Sequence, residues 1–275
     1  GAVGLNGGGS RDAFRQELNV PRATNILGAL EGSKLPDEHV FLSAHCDHLS
    51  SCWRVENAAS RVCNGAADNV AGVAIVLGTG RAIAALSPRR SIVFAFWDAE
   101  EDGLAGSECC ANTNPLVPVD LIVTFLNWDV QGTNLLPSLR DISFAIGPET
   151  GGEALQRAVD RAVENEGLDV GSISEALGQC RSDHANFCAA PLVFFSDANN
   201  GCYHTSGDEI KVLGFGKLEK QARIGLKLAH ELASTERPPS HRSSLIPVSF
   251  NDAKTIQEIA TQAVENDLAL FDSYD

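Results

Sequence analysis

The strongest constraint on this chain is an alternation of two patterns. Six short apolar runs rich in β-branched and aromatic residues, TNILGAL, HVFLSAH, SIVFAFW, DLIVTFLNWD, DISFAIG and PLVFFSD, are interspersed with helical patterns near residues 69–86, 151–166, 216–234 and 253–270. Strands that are apolar on both faces cannot border water, so helices must cover both sides of a mostly parallel sheet. The expected fold is α/β, a three-layer α/β/α sandwich. Its 275 residues suit one domain of that kind. The Gly-rich opening, residues 1–10, is expected to be flexible, with residues 11–275 forming the single domain. A terminal helix is expected over about 251–272, with Ile256, Ile259, Ala260, Ala263 and Val264 on its buried face.

In open α/β sheets, functional residues gather beyond the carboxyl ends of the strands. His45, the stretch Asp98 to Glu101, and Asp129 each follow an apolar run directly. In FLSAHCDHLS, His45 and Asp47 stand at alternate positions and so face one side. Asp68 lies in a Gly-flanked loop before a helical pattern, where an aspartate also suits a helix cap. Glu100 and Glu101 are adjacent carboxylates, which repel unless a cation or a proton relieves them. GCYHTSGDEI adds His204 and Asp208. Taken singly these are turn and surface residues. Together they form an imidazole and carboxylate set without thiolate, a donor type suited to catalytic rather than structural zinc.

A formal charge of −15 argues against a nucleic-acid partner, whose phosphates call for clustered Lys and Arg. The longest apolar candidate for a membrane span, Val70 to Leu86, is broken by Gly72, Gly78, Thr79, Gly80 and Arg81. Eight cysteines, with none in C-x-x-C pairs, point to disulfides and hence to a secreted or extracytoplasmic protein. Cys52 and Cys63 flank a polar loop and are a candidate pair. With no Met and a Gly-Ala-Val start, the chain is expected to have been processed, its export signal already removed. A monomer is expected.

The order H-x-D, N-G-A-x-D-N-x-x-G, E-E-x-G-x-x-G-S, N-x-D, S-D-H and Y-H-T-x-x-D, spread between about Thr24 and Leu232, resembles metallopeptidase family twenty-eight. That family holds bacterial leucyl aminopeptidases and glutamate carboxypeptidases. The resemblance implies two Zn2+ per chain, one on His45 and Asp129, the other on Glu101 and His204, with Asp68 bridging. It implies Glu100 as the general base, Asp47 as the partner orienting the His45 ring, and no role for His48. The activity implied is that of a zinc-dependent exopeptidase, foremost an aminopeptidase acting on peptide substrates. A propeptide or protease-associated segment upstream of residue 1 is implied as well.

Two other readings share the architecture. Glutaminyl cyclases bind one zinc and cyclise an N-terminal Gln by acyl transfer. Transferrin-receptor-like domains keep the fold for binding alone. Three positions depart from the family pattern. Ala67 replaces an Asp that helps hold the bridging loop, Cys46 replaces an aromatic residue, and EALGQCRSDH lacks the tyrosine that steadies the oxyanion in the bacterial aminopeptidases. A backbone N–H, His184 or no group at all is left as the donor.

Overall fold

The computed structural model describes residues 6–7, 14–53, 62–178, 180–242 and 249–265. Strands β1 (Asn6–Gly7), β2 (Arg15–Glu17), β3 (Thr24–Leu30), β4 (Leu35–His45), β5 (Arg90–Trp97), β6 (Ile122–Trp128), β7 (Ile142–Ile146), β8 (Asp169–Ile173) and β9 (Leu192–Ser196) form one nine-stranded mixed sheet. The order across it is β1-β3-β5-β4-β6-β9-β7-β8, with β2 also pairing with β3. β5, β4, β6 and β9 are parallel neighbours. β3 runs antiparallel to β5, and β7 antiparallel to β9. Most of the expected glycine-rich tail lies outside the described residues, but Asn6 and Gly7 pair with Ala29 and Gly28.

The helices are α1 (Ala71–Ile83), α2 (Ala105–Glu108), α3 (Gly152–Val163), α4 (Glu175–Gly178), α5 (Phe215–Ser234) and α6 (Phe250–Glu265). The twofold alternation of the central strands divides the core. Val40, Leu42, Phe94, Leu126 and Trp128 face one layer, which α1, α3 and α5 cover with Ile75, Leu155 and Leu228. Phe41, Val93, Trp97 and Phe125 face the other. There the cover is Cys110, Leu116 and Val117, which follow α2, and the helical turn Asp183–Phe187, so aromatic bulk does the filling. Phe187 stacks on Phe125 at 4.1 Å between centroids and packs 5.8 Å from both Phe41 and Trp97. Such aromatic pairs add about 0.5–1.5 kcal/mol each beyond their burial.

The terminal helix corrects an expectation. Its inward residues are Asp252, Thr255 and Ala263, with Ile259 half-buried, while Ile256, Ala260 and Val264 face outward. Ala263 and Ile259 meet a small apolar cluster around Leu136 and Leu139, and the rest of the inward face lies on the polar edge strand β8. The Thr255 hydroxyl donates to the Ser172 carbonyl at 3.1 Å, and Asp252 accepts from the Ser174 N–H. Hydrogen bonds therefore set the rotation of this helix. The expected end near residue 272 lies outside the described residues. No described helix is long and apolar enough to cross a membrane.

Candidate metal centre

His45 closes β4, the strand between β5 and β6, and pairs in register with Trp97. The neighbouring strands deliver Glu100 and Glu101 beyond β5 and Asp129 beyond β6. Asp68 comes from the turn entering α1, and His204 from the loop after β9. All seven residues expected at the site converge on this one edge of the sheet.

His45 Nε2 lies 3.1 Å from Asp68 Oδ1 and 3.2 Å from Asp129 Oδ1. His204 Nε2 lies 3.2 Å from Asp68 Oδ2 and 3.2 Å from Glu101 Oε2. The two oxygens of Asp68 thus face two different imidazoles. Ligands about 2.0–2.1 Å from a tetrahedral zinc stand roughly 3.3 Å apart, so both triads have the spacing of a coordination shell. Asp68 is also buried, with Oδ2 outside any well-formed hydrogen bond. The donor set fits two divalent cations sharing one carboxylate.

Electrostatics agree with that fit. Burial pushes the Asp68 carboxyl up, but the His204 and His45 rings outweigh it and hold it below the usual carboxylate range. Glu100 shares a 4.8 Å neighbourhood with His45 and Asp129. Burial, opposed by His45 and reinforced by Asp129, Asp183 and Glu101, pushes its carboxyl up to about 9. A nearby cation lowers the pKa of such a group and makes it an acceptor near neutral pH. His204 is drawn up to about 10 by its contacts with Asp68 and Glu101.

Backbone donors hold the acids in place. Asp47 accepts from the N–H groups of Glu100 and Glu101 at 3.1 and 3.2 Å, tying the end of β4 to the acidic pair. The His45 Nδ1 atom faces the Asp47 carbonyl at 3.2 Å and its carboxylate at 3.5 Å, so Asp47 orients the ring through its main chain as well as its side chain. Asp208 accepts from the N–H groups of Ala67 and Asp68 at 2.9 and 3.1 Å. It therefore fastens the bridging loop that Ala67 was expected to leave loose. The Asp68–Asn69 peptide is cis, and Asn69 donates to the Trp128 carbonyl at 2.8 Å while receiving the Gly72 N–H at 3.2 Å. A Cβ on Gly72 would stand 2.7 Å from that same carbonyl, which explains the glycine.

His48 was expected to be a bystander, yet it stands among the site's carboxylates. Its Nδ1 lies 2.8 Å from Glu101 Oε1 and 3.9 Å from Asp68 Oδ2. Nothing in the spacing of H-C-D-H separates ligand, partner and neighbour, since the chain leaves the strand at Cys46. Tyr203 stacks on the His204 ring at 3.8 Å. The His184 ring is fully buried, so in this conformation it gives no hydrogen bond to a substrate carbonyl. The disulfide expected between Cys52 and Cys63 is present, and next to it Trp53 exchanges backbone hydrogen bonds with His204 and Ser206 at 3.0 and 2.8 Å. Ala99, Val130 and His204 have φ of 58°, 53° and 56°, three left-handed residues at one cleft. Such strain of about 1–3 kcal/mol per residue persists where the surroundings enforce it.

One further strand-end acid stays apart. Asp197, after β9, pairs with Lys217 at 3.0 Å and accepts from the Thr133 N–H at 3.0 Å and from Gln221 at 2.9 Å. Its bonds are structural.

The model of Peptidase family M28 matches residues 25–229. The chain belongs to this family. Within M28, it is 26% identical to the aminopeptidase NAALADL1 of Rattus norvegicus over 295 aligned residues, covering 94% of this chain and 37% of that protein. The chain thus spans little more than a third of that relative's length. Its fold matches BSAP, a zinc aminopeptidase from Bacillus subtilis, with a TM-score of 0.62 at 20% identity, over 78% of this chain and 51% of that one. It matches a Bacteroides thetaiotaomicron glutaminyl cyclase nearly as well, with a TM-score of 0.61 at 17% identity, over 78% and 82%. The architecture of M28 therefore does not choose between hydrolysis and cyclisation; the site residues must.

Proposed function

We propose that this chain is the catalytic domain of a di-zinc exopeptidase, an aminopeptidase that removes N-terminal residues from peptides. The observation that carries the reading is Asp68, whose two oxygens stand 3.1 and 3.2 Å from His45 and His204. A bridging carboxylate between two imidazole and carboxylate triads serves a cation pair, whereas a one-metal cyclase has no use for the second triad.

His45, Asp129 and Asp68 would hold one zinc, and Asp68, Glu101 and His204 the other. Zinc at these positions supplies Lewis acidity that acidifies water and polarises a carbonyl. The remaining steps belong to the protein. Glu100 is placed by the hydrogen bond from its own N–H to Asp47, which aims the carboxylate without using it as a ligand. It takes the proton from the attacking water and returns it to the leaving amine. Asp47 and His48 hold His45 and Glu101 against rotation. The acidic surroundings favour a cationic α-amino group, which confines cleavage to the chain end.

We read the protein as a monomer, and as extracytoplasmic on the support of the Cys52–Cys63 disulfide. The direct test is a panel of aminoacyl and N-blocked peptide substrates assayed with and without zinc. Cleavage of free N-termini only, at about two zincs per chain by elemental mass spectrometry, is expected. Ammonia release from a Gln-initiated peptide without cleavage would overturn the assignment in favour of cyclisation.

A further inference from the structure

A second cluster of donors, with thiols, lies apart from the metal centre. Cys180 Sγ is 3.6 Å from Glu175 Oε1, and the ligand atoms of Glu175, Cys180 and Cys188 all lie within 4.8 Å of one another. His184 Nε2 is 3.4 Å from the same Glu175 oxygen. The His184 ring has no exposed surface and stacks on Phe194 at 4.3 Å, and neither of its nitrogens makes a hydrogen bond. Glu175 Oε2 is likewise buried without one.

A Cys180–Cys188 disulfide would engage the two sulfurs and nothing else. It would leave the His184 nitrogens and Glu175 Oε2 unpaired, at about 1–3 kcal/mol for each such buried group. A cation would engage Glu175, Cys180 and Cys188, whose donor atoms already cluster, and would draw in His184 beside the shared Glu175 oxygen as the fourth. Around a tetrahedral zinc with bonds of about 2.0 Å to oxygen or nitrogen and 2.3 Å to sulfur, an O–S edge is roughly 3.5 Å and an N–O edge roughly 3.3 Å. The observed edges from Glu175 Oε1 are 3.6 and 3.4 Å. Both cysteines are exposed, and the Cys188 thiol, which donates to the Ala185 carbonyl at 3.2 Å, would exchange that bond for the ion.

We infer that Glu175, Cys180, Cys188 and His184 form a structural site for one thiophilic divalent cation, zinc by donor type. Four protein donors leave no position for substrate, as in structural rather than catalytic zinc sites. The site would join α4 to the turn Asp183–Phe187. That turn is already bonded to both sides of the metal centre. Ser182 at its start accepts from Asn127, two residues before Asp129, at 2.9 Å, and Asn186 donates to Ser107 at 2.9 Å. The cation would brace the wall of the cleft without touching the reaction.

The proposal is tested by Co2+ titration of the purified, reduced full-length chain. The side chains that face one another in the metal centre offer only nitrogen and oxygen, so an intense thiolate-to-cobalt charge-transfer band that is lost with Cys180 or Cys188 reports on this cluster. The band is expected at one equivalent, absent in Cys180→Ser and in Cys188→Ser, and weakened in Glu175→Gln. A second measurement needs no variant. Zn2+ should slow iodoacetamide alkylation of Cys180 and Cys188 in the wild-type chain at least tenfold, read by peptide mass, and leave alkylation in the urea-unfolded chain unchanged as the control. Absence of the band, a band that survives both cysteine changes, equal alkylation with and without zinc, or a Cys180–Cys188 disulfide in the protein as purified would each overturn the proposal.

Discussion

His48 and His204 grip opposite oxygens of one carboxylate. His48 Nδ1 is 2.8 Å from Glu101 Oε1, and His204 Nε2 is 3.2 Å from Glu101 Oε2. A ligand whose free oxygen is hydrogen-bonded keeps its coordinating oxygen aimed, and loss of such a partner typically lowers metal affinity about 10–100-fold. His48→Ala should therefore fold normally and bind its second zinc that much more weakly, measured by competition with a chelator. Unchanged affinity would return His48 to the status of a neighbour.

Glu100→Gln separates metal binding from proton transfer. The amide keeps the shape and the Asp47 hydrogen bond, which is made by the main chain. Zinc content should stay near wild type while turnover falls by roughly 10²–10⁴, the usual worth of a general base. Normal hydrolysis by this variant would remove Glu100 from the mechanism.

Asp208 touches no candidate metal, yet its removal should mimic loss of a ligand. Asp208→Ala leaves the buried N–H groups of Ala67 and Asp68 without an acceptor, at about 2–6 kcal/mol in total. Denaturant melts should show that loss, and zinc occupancy should fall with it because Asp68 is no longer held. Asp208→Asn, which retains one acceptor oxygen, should recover part of both.

Asp197→Ala is the contrasting case. It strands Lys217 in the interior, and breaking a buried pair in this way costs about 3–5 kcal/mol. Stability should drop while the folded fraction retains its zinc and its turnover per zinc. A selective loss of metal would mean that the Asp197 loop supports the centre after all.

The pH dependence of the zinc-stripped protein follows from its histidines. His204 is raised to about 10 by Asp68 and Glu101, and His45 and His48 are raised as well, burial being outweighed by their carboxylate partners. A group whose folded pKa lies above its unfolded value of about 6.5 stabilises the fold fully below that pH and loses its contribution as pH rises through the folded pKa. Thermal melts in chelator should therefore decline between pH 6.5 and 10. Zinc replaces those protons, so the loaded protein should lack this decline.

Much of this was readable in advance because period and position are local signals. The six apolar runs became six strands, and the acids at their ends converged because parallel strands present the same edge. β8 escaped notice for a physical reason: DVGSI lies at the sheet margin, half-buried, and carries no continuous apolar run. The rotation of α6 was misjudged because hydrophobic periodicity assumes an apolar partner, whereas Thr255 and Asp252 bind a polar strand edge. His48 and Asp208 were visible as residues but not as roles, since each acts on a group far away in the chain, at Glu101 and Ala67. Tertiary pairing of that kind leaves no mark on local spacing.

The position of His204 has a consequence for biosynthesis. By Asp129 a growing polypeptide has already emitted His45, Asp68, Glu101 and the presumptive base, but the Asp68 carboxylate faces two ways and its second imidazole arrives 75 residues after Asp129, at His204. The strand that carries the chain to it, β9, is inserted between β6 and β7, both made earlier. Until that late strand slots into the sheet, the triad of His45, Asp68 and Asp129 has all its members but the triad of Asp68, Glu101 and His204 lacks its imidazole. Under the proposed reading, the second triad, and with it peptide cleavage, waits for completion of the fold.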